Sequence, residues 1–308
     1  MGAREIRRES EVGGGADAWE RSSADAFERH RALLFSIAYR MLGSVADAED
    51  IVQEAYLRWR GSEATVRSPR AYLCTTVTRL AIDHLGSARA RREEYVGPWL
   101  PEPLLEPLVE PGPDPAELAE SMSTAFLRLL ERLAPLERAV FLLREVFDFD
   151  YDEVAPIVGR EVAACRQIAK RARDRIAADR PRFEASTDEA ERIAEEFLAA
   201  CATGDAAAIV PLLAGDVVSW TDSGGRVPAA RRPVLGADRC ARFWAGLARK
   251  GFATTRVERL RVNGGPGFVL RSSVGSPRVI GFSISDGLIH EIFVFSNPER
   301  LGHLPLDA

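Results

Sequence analysis

The residues best suited to chemistry include the basic side chains of one predicted helix. Their types and spacing favour the binding of a charged partner over covalent catalysis. Within "VGREVAACRQIAKRARDRI", Cys165, Ile168, Ala172 and Ile176 recur at helical spacing and predict a buried stripe. The segment Arg160–Arg182 carries eight bases and three acids, although the whole chain has a formal charge of −5. The side chains that project away from the stripe are Arg160, Arg166, Gln167, Lys170, Arg171 and Arg173. Such a face can neutralise phosphates or can simply be a solvated surface.

The elements around the basic helix favour nucleic-acid binding. Asp150 and Glu153 have the spacing of a capping box at the start of a short helix, and Gly159 follows as a tight turn. A short helix, a glycine turn and a basic helix form the layout of a helix-turn-helix, whose second helix enters the major groove. Arginine and glutamine can recognise guanine and adenine there.

A second helix carries acidic residues on one face. Asp47, Asp50 and Glu54 are spaced at i, i+3 and i+7, opposite a stripe of small apolar residues. With no base expected beside them, these carboxylates are either a solvated face or a docking surface for a basic partner. They lack the spacing of a metal site, and we predict no metal ligands.

Catalytic candidates are confined to the C-terminal part. Asp222 or His290 could act as a pocket acid or base, with Trp220 and Phe243 as apolar walls. An Asx turn accounts for Asp222 equally well, and His290 alternates with strand residues as a structural histidine would. We therefore predict no catalytic residue and no cofactor. The cysteines, Cys74, Cys165, Cys201 and Cys240, form no CxxC pair and fit reduced thiols of a cytoplasmic protein.

The elements that must position these residues form a multidomain chain. We predict two all-α modules joined by an acidic, proline-rich strap, followed by an α+β domain with a hairpin at Asp286-Gly287. The predicted boundaries are 1–23 (disordered tail), 24–94 (first helical module), 95–120 (strap), 121–183 (second helical module) and 188–308 (sheet-bearing domain). The sequence has neither an apolar run that could span a membrane nor a secretory signal.

Several long motifs resemble one family. "DAEDIVQEAYLRW" with "SPRAYLCTTVTRLAIDHLGSARARRE" is similar to region 2 of extracytoplasmic-function (ECF) sigma factors. "LAPLERAVFLLREVFDFDYDEVAPIVGREVAACRQIAKRARDRI" is similar to their region 4. Three short strings, "WLPEP", "DSGGR" and "NPERL", resemble those of the subgroup with a fused C-terminal SnoaL-like domain, a curved sheet wrapped by helices into a cone.

The resemblance implies a role for each set of residues. The acidic helix would bind the β′ clamp of core RNA polymerase through Asp47, Asp50, Gln53 and Glu54. The next helix would melt and recognise the promoter minus-10 element through Arg70, Arg79, His84, Arg89, Arg91 and Arg92. The basic helix would recognise the minus-35 element. The SnoaL-like domain would modulate activity in cis through Trp99, Leu100, Pro101, Asp222, Gly224, Gly225, Arg226, Asn297, Pro298 and Leu301.

Two departures and one alternative accompany the resemblance. Arg79 stands where many family members have asparagine, and Pro156 lies inside the first helix of the helix-turn-helix, where it is expected to cause a kink. The alternative function is a ligand-binding or cyclase- or isomerase-type enzyme domain tethered to a DNA-binding module. A small ligand in the cone is compatible with both.

Overall fold

The chain folds into two compact units, each built from two separate stretches of sequence. The computed structural model describes residues 6–60, 66, 68–93, 95–106, 122–177, 186–251, 255–272 and 276–305, without the side chains of residues 6–23, 88–93, 106 and 251. The first unit comprises Met1–Ser87 and Ala134–Ala172, and the second comprises Ala88–Leu133 and Arg173–Ala308. In the described residues, no helix is long and apolar enough to cross a membrane.

The order of elements confirms two helical modules followed by a helix-and-sheet domain. The helices are α1 (Ile6–Leu42), α2 (Val45–Arg60), α3 (Pro69–Glu93), α4 (Thr124–Leu130), α5 (Pro135–Phe141), α6 (Tyr151–Val158), α7 (Val162–Ala177), α8 (Thr187–Thr203), α9 (Ala206–Ile209) and α10 (Ala237–Gly251). The strands are β1 (Leu105–Glu106), β2 (Leu213–Asp222), β3 (Val234–Leu235), β4 (Thr255–Val262), β5 (Gly265–Ser272), β6 (Arg278–Ser285) and β7 (Leu288–Phe295).

The core of the first unit is the packing of α1 against α2. Gly43, whose φ is 66°, ends α1 so that α2 can fold back on it. The predicted stripe of α2, from Ala48 to Trp59, is buried. A buried arginine of α5, Arg138, donates a hydrogen bond to the carbonyl of Met41 at the end of α1. This bond satisfies a terminal helix carbonyl and ties the first helical module to the second.

The second unit is a seven-stranded sheet with α8 and α10 on one face and α4 on the other. Its strand order is β1-β4-β5-β6-β7-β2-β3, and all described pairs are antiparallel except β2 with β7. Asp286 and Gly287, with φ of 51° and 73°, make the predicted hairpin turn between β6 and β7. Helices α8 and α10 cover the inner face, where Phe197, Trp244 and Phe282 belong to one core cluster.

The strands that form the middle of this sheet are buried on both faces. Along β7, Ile292 and Val294 belong to the inner cluster, whereas Phe293 and Phe295 belong to a second, outer cluster. Successive strand residues point to opposite faces, so the two clusters share the same strands. Leu100 of the strap and Leu301 of the C-terminal segment belong to the outer cluster, and Ala125 of α4 packs against it. Segments from outside the sheet-bearing domain therefore complete its core.

One expectation about the connecting segments is wrong. Residues 6–23, predicted as a disordered tail, are part of α1, and the segment from Ile6 to Leu42 contains no proline that would break the helix. Residues 1–5 lie outside the described part of the chain. In the strap, β1 pairs with β4 at the edge of the sheet, where proline-rich sequence is tolerated. The units also cut across the predicted modules, because α4 belongs to the second unit and α5 to the first.

Candidate functional site

The basic helix has the surroundings of a recognition helix. Asp150 and Glu153 form the predicted capping box at the start of α6, and Gly159, with φ of 65°, ends it in the left-handed conformation. Helix α7 then begins at Val162. The predicted apolar stripe is buried, and all six predicted polar side chains, Arg160, Arg166, Gln167, Lys170, Arg171 and Arg173, are exposed. The face is therefore available to DNA phosphates and base edges.

The acidic face of α2 is exposed, but it is not free of bases. Glu54 forms an ion pair of 2.8 Å with Arg58 on the same helix, and Asp47 lies 3.4 Å from His84 of α3. The expectation of carboxylates without nearby bases is therefore wrong for these two. Asp50 and Gln53 project into solvent. At their exposure the ion pairs contribute little stability, so a partner can exchange them at small cost.

The candidates for minus-10 recognition are held in part by the helix-turn-helix. Arg79 donates to the carbonyls of Pro156 (2.8 Å) and Ile157 (2.9 Å) at the end of α6. These carbonyls have no partner within their own helix, and a cation at a helix C-terminus is favourable. The Arg70 guanidinium lies over the ring of Phe149 at 4.3 Å and 3.9 Å from the Glu153 carboxylate. The side chains of Arg89, Arg91 and Arg92 lie outside the described part.

The motif residues of the second unit meet at a buried carboxylate. Asp222 is 2% exposed and closes β2. It accepts hydrogen bonds from the backbone N–H of Leu100 (3.0 Å), from the Tyr95 phenol and from the Arg300 guanidinium. Burial, reinforced by the Asp222 charge, raises the pKa of Tyr95 to about 12, so the phenol remains a donor. One carboxylate thus joins the strap, the sheet and the C-terminal segment.

The rest of the three motifs surrounds this carboxylate, which we call the Asp222 anchor. Asn297 donates to the Tyr95 hydroxyl at 2.8 Å and caps the turn that begins at Pro298. The Arg300 guanidinium also lies over the Trp99 ring at 4.4 Å. A Cβ on Gly224 would approach the Asn297 amide to 2.4 Å, so only glycine fits there. The other motif residues are distributed as follows: Leu100, Pro101 and Leu301 are buried, Gly225 faces Val96, and Arg226 pairs with Glu299 at the surface.

Two expectations about catalytic groups are wrong. The Asp222 carboxylate bonds to the strap, and its neighbour Ser223 makes the local turn by accepting from the N–H of Gly225. His290 lies 4.0 Å from the exposed Asp216, and its buried Nε2 atom has no hydrogen-bond partner in the described structure, so it is not the satisfied histidine expected. Of the two expected cavity walls, Phe243 lines a cavity, whereas Trp220 lies on the outer face of the sheet.

Sequence reasoning missed three residues of this region. Tyr95 lies four residues before the string "WLPEP", and Arg300 lies inside "NPERL" without having been one of the residues predicted there. Arg128 of α4 lies 3.7 Å above the ring of Trp220 and pairs with Glu291 of β7, 2.5 Å away. Burial lowers the pKa of Arg128 and the Glu291 charge opposes that shift, so the guanidinium stays charged. The sequence pattern offered no signal for Arg128, because it follows no motif.

Comparison with known proteins decides the family. Residues 26–91 match the Sigma-70 region 2 model, and residues 123–176 match the Sigma-70 region 4 model. The ECF RNA polymerase sigma factor SigJ of Mycobacterium tuberculosis is 39% identical over 91% of this chain and 93% of its own length. The chain belongs to the ECF sigma factor family. Its function is promoter-specific initiation of transcription, and a tethered enzyme is not favoured.

Two further similarities extend over the C-terminal domain of this sigma factor. The probable ECF RNA polymerase sigma factor SigI of M. tuberculosis is 34% identical over 91% of this chain and 94% of its own length. The crystal structure of M. tuberculosis SigJ superposes with a TM-score of 0.75 at 35% identity, covering 92% of this chain and all of that one. The match therefore includes the sheet-bearing domain as well as the two sigma regions.

The Asp222 anchor predicts a loss of stability on substitution. Asp222→Asn removes the buried charge that holds half-buried Arg300 and should lower the free energy of unfolding by about 2–3 kcal/mol. Asp216→Asn, at a carboxylate of the same strand that is 91% exposed, should change it by less than about 0.5 kcal/mol. Urea unfolding followed by circular dichroism measures both. Equal midpoints for the two variants would show that Asp222 is not an anchor.

Proposed function

We propose that this sigma factor uses the exposed face of α7 for the minus-35 element, α3 for the minus-10 element and the acidic face of α2 for the β′ clamp of core RNA polymerase. We further propose that the C-terminal domain restrains these activities in cis. The observation that carries the regulatory part is that the strap and α4 are packed into the core of the second unit. Both segments lie in or beside the matched sigma regions, yet they stabilise the C-terminal domain.

The minus-35 assignment rests on the shape and exposure of α7. Its buried stripe leaves the basic face pointing away from the protein, as groove entry requires. Arg166 and Gln167 lie near the N-terminal end of the helix, the end that meets base edges in a helix-turn-helix. Lys170 and Arg171 lie one turn further on, where contact with phosphates is expected.

The arrangement of the first unit supports a resting state. The minus-35 and minus-10 elements are named for positions about 25 base pairs apart, which is roughly 85 Å of duplex at about 3.4 Å per base pair. In the first unit, by contrast, Arg79 of α3 hydrogen-bonds directly to the last turn of α6, next to the recognition helix. This contact holds α3 beside the helix-turn-helix, whereas simultaneous binding of the two elements requires α3 and α7 to be far apart. We infer that promoter binding breaks the Arg79 contacts and frees Arg79 for DNA.

The contacts of α4 support restraint by the C-terminal domain. Arg128 of α4 stacks on the Trp220 ring and forms an ion pair with Glu291. The helix α4 also packs on β6. Region 4 cannot move as one body while its first helix stays in this place. Neither Asp222 nor His290 lines the cavity of about 610 Å³ in this domain, which supports a regulatory role without catalysis.

Base recognition by α7 can be separated from phosphate contact. Arg166→Ala should weaken minus-35 binding by about 1–3 kcal/mol and relax its sequence preference. Lys170→Ala should weaken binding to every sequence alike and reduce the salt dependence. Footprinting and binding titrations over a range of salt measure both variants with core polymerase. If the two losses are equal and independent of sequence, Arg166 does not recognise bases.

Docking on polymerase can be tested by charge reversal. Asp50→Lys/Glu54→Lys should abolish co-purification with core polymerase, because like charges would then meet at a basic clamp. The control Glu28→Lys/Asp83→Lys reverses two other exposed carboxylates of the same module and should leave retention unchanged. Circular dichroism verifies folding of all variants. Equal retention of both double variants would contradict the docking assignment.

Restraint in cis can be tested at Arg128. Arg128→Ala removes the ion pair to Glu291 and the stacking on Trp220, so α4 should detach more readily and run-off transcription should rise by about fivefold. Arg192→Ala is the matched control, because it removes an exposed arginine that forms an ion pair with Glu196 on the same helix, α8. If Arg128→Ala and Arg192→Ala give the same transcript yield as the wild type, this contact does not restrain the sigma factor.

A further inference from the structure

The C-terminal domain contains a cavity of about 610 Å³ between α10 and the inner face of the sheet. This volume lies in the range of sites that bind small organic molecules. The apolar walls come from one helix and three strands: Phe243, Trp244, Leu247, Leu270, Ile280 and Val294. An aromatic and aliphatic lining of this kind accommodates an apolar ligand body.

The polar groups at the cavity select for negative charge. Lys250 and Arg278 both line it, are exposed, and have no ion-pair partner among the described residues. The described lining contains no carboxylate, imidazole or thiol. Two cations without opposing charge favour an anionic group at the mouth, and the absence of a general base from the described lining favours binding over conversion.

The end of the cavity is built from the strands that carry the Asp222 anchor. Thr221 of β2 and Ser296, which directly follows β7, line the cavity, and the residues after them in sequence, Asp222 and Asn297, belong to the anchor. Alternation along the strands places the two pairs on opposite faces. Ser296 also donates to the Asp222 carbonyl through its backbone N–H (2.8 Å) and its hydroxyl (3.0 Å). A ligand that contacts Ser296 thus touches a residue bonded to the anchor.

We infer that the cavity binds a small organic anion with an apolar body, and that its occupancy strengthens the hold of the Asp222 anchor on the strap. The binding site stands on the cavity alone. Its regulatory consequence rests on the proposed restraint in cis, because the anchor then determines how readily the strap and sigma regions are released. The ligand would act as the signal that sets the activity of the sigma factor.

The charge preference is tested with a pair of fluorescent probes and the full chain. The anion 8-anilinonaphthalene-1-sulfonate and the uncharged N-phenyl-1-naphthylamine share an aromatic body, and the anion should bind with a Kd at least about tenfold lower. Lys250→Met/Arg278→Met should abolish this preference and leave the neutral probe unchanged. Arg239→Met/Arg256→Met removes two exposed cations of the same domain outside the cavity and should preserve it. Equal affinities for both probes in the wild type, or an unchanged preference in the first variant, would overturn the inference.

The location is tested by obstructing the cavity. Leu247→Trp adds a large ring to a lining position and should weaken both probes by about tenfold, whereas Leu235→Trp changes an exposed leucine of β3 and should have no effect. Thermal unfolding monitors that both variants fold. Unchanged binding in folded Leu247→Trp would place the probes elsewhere and refute the site.

The link to the anchor is tested by reciprocity, without polymerase. Tyr95→Phe removes the phenol that joins Asp222 to Asn297, so it should weaken the sulfonate probe by at least about threefold. Tyr151→Phe, in the helix-turn-helix, is the control and should not. If Tyr95→Phe binds the probe as the wild type does, the coupling is wrong. Because these are binding measurements, they separate a failed site from a failed proposal about transcription.

Discussion

The architecture of the second unit depends on one buried carboxylate. Asp222 is at the end of β2, and an ionised carboxylate in that position is tolerated only when charge and hydrogen bonds compensate for lost hydration. Its partners come from the strap (Tyr95 and Leu100) and from the C-terminal segment (Arg300). The strap must therefore be in place for the carboxylate to stay buried. Release of the strap and hydration of Asp222 are one event.

Because of this constraint, the core of the C-terminal domain includes residues from the strap and from α4. The outer face of the sheet carries Phe293 and Phe295, which the strap, α4 and the C-terminal segment cover. Uncovering this apolar face is unfavourable in water. The C-terminal segment is equally integral, since Leu301 and Leu304 are buried in the same cluster. A deletion from Asn297 onward would therefore remove residues of the core of this domain.

Sequence patterns predicted the elements better than the contacts between them. Helical spacing placed the buried stripes of α2 and α7, and the Asp286-Gly287 pair placed a hairpin, because these signals act over a few residues. The motif strings predicted Asp222 and Asn297, and both residues hydrogen-bond to the Tyr95 hydroxyl. Tyr95 and Asp222 are separated by 127 positions and Arg128 and Glu291 by 163, so nothing local distinguishes these residues from surface ones. The helix over residues 6–23 has no local signal of this kind, because its sequence is rich in glycine, serine and charged residues.

The arginines illustrate why exposure, and not residue type, decides function here. Arg138 is held by the carbonyl of Met41, and Arg128 is held by the Trp220 ring and the Glu291 carboxylate. By contrast, Arg166 and Arg171 are exposed on α7. Arg79 belongs to neither class, because it is exposed yet bonded to two backbone carbonyls. Charge-assisted hydrogen bonds of this kind contribute only about 1.5–3 kcal/mol each. Binding of polymerase and promoter can supply enough free energy to break interactions of this size, since a few kcal/mol suffices to invert a two-state population. The contact is therefore strong enough to hold the proposed resting state and weak enough for promoter binding to break.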